Sequence, residues 1–150
     1  MYAMPHLVKE TWACDVFWDK NERPVLYVVG EGRVTHTKDV LEVIGCAVEM
    51  TNTGPFENVC AVYNMLKVES IPFIGRFINS GKAPSTSRTA HIVIGTTLPT
   101  IKIVGSLMAV ASNERLRTID IHDNETAMEA AISRWLALPD RAKSYNIDNV

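Results

Sequence analysis

Three short apolar runs constrain this chain most: "NVCAVYNML" at 58–66, "AHIVIG" at 90–95 and "LRTIDIH" at 116–122. Each has the length and composition of a strand covered on both faces, the kind a parallel sheet contains. Each is followed by a segment with helical periodicity. Strands that alternate with helices in this way call for a mainly parallel sheet joined by helical crossovers. At 150 residues the chain can bury a full core as one domain.

The N-terminal part has a different rhythm. In "TWACDVFWD", Trp12, Cys14, Val16 and Trp18 fall on one side, and Ala13, Asp15 and Phe17 on the other. The turn residues "DKNER" follow, then the β-rich "PVLYVVG", so the two runs predict an antiparallel hairpin with its first strand at a sheet edge. "VTHTKDVLEVIGCAVEMTNTG" then changes period. Thr37 is expected as N-cap, Asp39 in the first turn and Gly54 past the end. Val40, Val43, Ile44, Ala47 and Val48 form an apolar stripe, with Lys38, Asp39, Glu42 and Glu49 largely off it.

Further on, "SIPFIGRFINSG" reads as a short helix, with Ser70 and Pro72 at its start and Gly81 at its stop. "GKAPSTSRT" is a loop by composition. A helix is expected within "TTLPTIKIVGSLMAVASN", and another over "NETAMEAAISRWLAL", capped by Asp123 and ended by Pro139. The expected fold is therefore α/β, a mixed and mainly parallel sheet in the order β-β-α-β-α-β-α-β-α. Residues 1–138 form the domain and 139–150 a polar tail.

The stretch 96–113 is the least polar of the chain, with Lys102 its one charge. A membrane span needs about 20 predominantly apolar residues. Leu98 to Ala111 supplies fourteen, broken by Pro99, Thr100, Lys102 and Ser106, so no membrane span is expected. On a helix, Ile101, Val104, Leu107, Met108 and Ala111 share one face, suited to the sheet. Ile103, Leu107 and Val110 make a flank that either buries more deeply or meets a partner, most simply a second copy.

Charge and chemistry exclude several function classes. The net charge of -2 and scattered basic residues argue against nucleic-acid binding. Cys14, Cys46 and Cys60 have neither disulfide-framework nor metal-knuckle spacing, which suits a reducing cytoplasm. The start "MYAMPHLVKE" does not resemble a signal peptide. His6, His36, His91 and His122 show no metal-ligand spacing; His36 and His122 precede expected helix starts. "GRFINSGKA" misses the phosphate-loop pattern by one residue between Gly75 and Gly81, and Ala83 follows Lys82. Lys82 and Arg88 sit in a loop that reads as solvated. Cys60 would lie inside a strand, out of reach as a nucleophile. Asp120 and Asp123 flank a strand end, where open α/β sheets place ligands, but no nucleophile, base and electrophile assemble around them. Neither an enzyme nor a cofactor is expected.

The element order resembles the anti-sigma-factor-antagonist (STAS) fold, and the chain looks like the stand-alone bacterial STAS-like proteins of mostly unassigned function. "VLYVVGEGRVTHTKDVLE", "HIVIGTTLPTIKIVGSLMAVAS" and "LRTIDIHDNETAMEAAISRWL" carry the resemblance, which runs from about Trp12 to Leu138. Regulatory members of that family carry Asp-Ser-Ser/Thr-Gly after the third strand, and the serine is phosphorylated. Here "NMLKVESIPFIGR" places Ser70 after Glu69 but lacks the second hydroxyl and the glycine. The phospho-switch therefore does not carry over, and Ser70 reads as a cap.

The element order and the apolar third helix together lead to the expectation of a non-catalytic, protein-binding regulatory domain that associates with itself. Its expected contact residues are Glu69, Ser70 and Phe73 in one patch and Ile103, Leu107 and Val110 in another. The alternative is a small carrier of lipid or another hydrophobic ligand, since the family resembles the lipid-exchange CRAL-TRIO domains at the level of fold. Phe73, Phe77 and Met108 would then line a cavity.

Overall fold

The computed structural model describes residues 6–72, 86–99, 101–102 and 118–139. Six strands form one mixed sheet: β1 (His6–Val8), β2 (Trp12–Trp18), β3 (Val25–Arg33), β4 (Val59–Ser70), β5 (Thr89–Gly95) and β6 (Thr118–His122). Spatial order follows chain order, β1-β2-β3-β4-β5-β6. The pairs β1–β2 and β2–β3 are antiparallel; β3–β4, β4–β5 and β5–β6 are parallel. Helix α1 (Thr37–Thr53) crosses from β3 to β4, and helix α2 (Glu125–Ala137) follows β6.

The expected hairpin forms, with Trp12 opposite Gly32 and Trp18 opposite Leu26. Its turn is held by Asp19, whose Oδ2 accepts from the Asn21 N–H at 2.9 Å and whose Oδ1 accepts from Arg23 Nη2 at 2.7 Å. Alternation along β2 places Trp12, Cys14 and Val16 under α1, where they pack with Leu26, Val28, Ala47 and Met50. On the opposite face, Val25, Cys60, Val62 and Val93 pack with Met128, Ala131, Ile132 and Trp135 of α2. The middle strands thus serve two cores, which is why their sequences are apolar throughout.

Four details differ from the sequence reading. The edge belongs to β1, a three-residue strand that the sequence does not announce, so β2 is the second strand. The "NVCAVYNML" strand continues to Ser70, because β3 also continues through "EGR" and pairs with it, Glu31 opposite Lys67 and Arg33 opposite Ser70. Ser70 is accordingly the last residue of β4, where its carbonyl accepts from the Val34 N–H at 3.0 Å. The caps shift by one residue: His36 precedes α1 with no side-chain cap bond, and Asn124, not Asp123, caps α2.

Gly32 makes the β2–β3 register possible. Its φ is +95°, and a Cβ there would run into the Thr11 carbonyl oxygen. Of the two helices expected between β4 and β6, the first lies outside the described residues. The second is seen only at its start, where the Lys102 N–H donates to the Leu98 carbonyl at 3.1 Å. No helix among the described residues is long and apolar enough to cross a membrane.

Candidate functional site

Between the N-terminal half of α1 and the sheet lies a cavity of about 100 Å³. The helix contributes Val40, Val43 and Ile44, three residues of the predicted stripe. The sheet contributes Trp12, Cys14, Gly30, Met65, Val68 and Ile94, and Ile101 closes one side. The space exists partly because β3 has no side chain at Gly30. A Cβ there would stand 3.3 Å from Met65 Sδ and Cε and from Val68 Cγ2. Two register shifts between β3 and β4, after Val29 and after Gly32, aim Met65 and Val68 into the same region.

One buried acid interrupts this apolar wall. Asp39 is 7% exposed, and its Oδ2 accepts a 3.3 Å hydrogen bond from Trp12 Nε1. It sits in the first turn of α1, where the helix dipole favours negative charge. The sequence reading left Asp39 off the apolar stripe. Yet at 100° per residue it lies only about 40° from Val43, one turn on, and that spacing was the signal for its burial.

A second polar cluster lies on the α2 face. His91 is 7% exposed and bridges β5 to β6. Its Nε2–H donates to Asp120 Oδ2 at 2.9 Å, and its Nδ1 accepts from the Thr118 hydroxyl. Its ring lies nearly parallel to Trp135, at 7° with centroids 6.4 Å apart. Burial pushes the His91 pKa below the usual imidazole value, and the Asp120 carboxylate opposes that shift. Asp120 was singled out from the sequence for its strand end; its partner His91 was not, because a histidine inside an apolar run gives no pairing signal. His122 ends β6 instead of belonging to a capping loop, and its buried Nε2 has no hydrogen-bond partner.

The thiols suit packing better than chemistry. Burial first, then Asp15 and Cys46, push the Cys14 pKa up to about 12. Burial also raises Cys60 and Cys46. Among the described residues no three His, Cys, Asp or Glu side chains group as metal ligands. Of the loop cations, Arg88 donates to the Gly54 carbonyl at 3.2 Å, and Lys82 lies outside the described residues.

Of the expected contact residues, Glu69 and Ser70 are exposed and adjacent at the end of β4. Phe73, Ile103, Leu107 and Val110 lie outside the described residues, as do Phe77 and Met108.

No protein-family model matches the chain, and none of the curated proteins matches it. Among solved structures it is similar to the crystal structure of an uncharacterized protein from the DUF3478 family with a SpoIIAA-like fold, from Shewanella loihica PV-4. The two share 12% identity over 87% of this chain and 98% of that chain, with a TM-score of 0.47.

Proposed function

We propose that this chain acts by binding, without catalysis of its own, and that the space between α1 and the sheet holds a small apolar molecule. The cavity of about 100 Å³ carries this reading. A cavity of about 150 Å³ with aliphatic and aromatic walls stays dry and takes up benzene. By proportion, this one suits roughly four or five non-hydrogen atoms of a ligand, or the end of a longer chain. Trp12 lines the space and reports on it directly. Cyclopentane titrated into the protein should shift the Trp12 indole N–H resonance saturably. Val43→Phe, which fills the space, should abolish the shift. A resonance that stays fixed at saturating cyclopentane would sink the reading.

A protein-contact surface is a second, separate proposal, supported by the apolar flank Ile103, Leu107 and Val110 in the sequence. Glu69, Ser70 and Phe73 form its other expected patch. Light scattering on wild type and Val110→Glu tests self-association: a dimer that becomes a folded monomer supports it, whereas a wild-type monomer removes it. The three free cysteines support a reducing compartment, the cytoplasm, for either role.

A further inference from the structure

The two walls of the cavity differ in chemistry. The helix side is aliphatic at Val40, Val43 and Ile44. The sheet side carries an indole at Trp12, a thiol at Cys14 and a thioether at Met65. Strand register brings the two sulfur side chains to one place. Cys14 is paired with Gly30, and paired residues stand on the same face about 5 Å apart. Met65 Sδ and Cε lie 3.3 Å from where a Gly30 Cβ would stand. Cys14 and Met65 therefore flank the gap that the glycine leaves. With its pKa pushed up to about 12, first by burial, Cys14 stays a neutral thiol there.

Resting on the apolar-ligand reading above, we infer that the cavity recognises a small, unsubstituted aromatic ring, whose edge meets the sulfurs of Met65 and Cys14. Sulfur is soft and polarisable. It gains from the electropositive edge of an aromatic ring a contact that a saturated ring does not return. Methionine also adapts to its guest, because its side chain is unbranched and flexible. The lining is almost wholly apolar, so a ring without polar substituents leaves no group unsatisfied. At about 100 Å³, the space suits a ring of about five non-hydrogen atoms.

The test compares thiophene, which is aromatic, with cyclopentane, which is saturated and of similar size. Each is titrated into the wild-type chain and into Met65→Leu, and followed by the Trp12 indole resonance. Leucine keeps the volume and removes the sulfur. Comparing variant with wild type for each ligand cancels their different costs of leaving water. Thiophene should lose about three- to tenfold in affinity, whereas cyclopentane should change by less than about twofold. Continued cyclopentane binding also shows that the variant is folded. Bound thiophene should shift the wild-type Met65 methyl resonance through its ring current, which a saturated ring lacks. Equal changes for the two ligands overturn the aromatic inference and leave the apolar-ligand reading standing, as does a failure of thiophene alone to bind. If neither ligand moves the wild-type Trp12 resonance, both are overturned.

Discussion

At the scale of single residues, His91 is a side chain whose protonation bears on the fold. It is buried between β6 and Trp135, with Asp120 and Thr118 as partners. Arg134 on α2 adds a repulsive charge that, like burial, opposes protonation. A histidine whose pKa is lower in the folded chain binds fewer protons there than in the unfolded chain. Its stabilisation is therefore full above the unfolded value of about 6.5, and it is lost as pH falls through the folded value. The urea midpoint should drop between pH 7.5 and pH 5.5, and His91→Gln should flatten that drop. An equal slope in the variant would assign the pH dependence to other histidines.

At the scale of elements, the strongest sequence signals were periodic and the weakest were those set by neighbours. Alternation from Trp12 to Trp18 predicted β2 and sorted its residues onto two sides, because period-2 patterning is local. The far half of β4 was illegible because Lys67, Glu69 and Ser70 are exposed there and pair only with the extension of β3. β1 is too short to carry a pattern; its pairing with β2 alone defines it. The cavity was legible in part: Val40, Val43 and Ile44 of the predicted stripe line it, but Asp39 was left off that stripe and Gly30 looked like a strand end.

Helix α2 shows how narrow a misplacement can be. Asp123 and Asn124 are both good caps, and the structure uses Asn124, whose Oδ1 accepts from the Ala127 N–H at 2.8 Å. Asn124→Ala should cost about 1 kcal/mol, and Asp123→Ala much less. Ile132→Ala, in the fully buried face of the same helix, should cost about 2–5 kcal/mol. Urea unfolding of the three variants checks the order, and a larger loss at Asp123 than at Asn124 would return the cap to its predicted place.

At the scale of the whole molecule, the sheet joins two cores that, among the described residues, share no helix. Strands β3, β4 and β5 send alternate residues to each side: Val25, Val62 and Val93 toward α2, and Leu26, Ala61 and Ile92 away from it. None of these three strands can leave one core without leaving the other, so the two faces should unfold as a unit. Trp12 and Trp135 lie on opposite faces and report on them independently. In a urea titration their native indole resonances should fade at one midpoint. Cyclopentane touches only the Trp12 side, and at about ten times its Kd it adds roughly 1.4 kcal/mol by mass action. With a denaturant slope of about 1–3 kcal/mol per molar, both midpoints should rise together by about 0.5–1.4 M. If ligand raises the Trp12 midpoint and leaves Trp135 behind, the faces are separate cooperative units. If they move as one, the two faces form a single cooperative unit, held together by the strands they share.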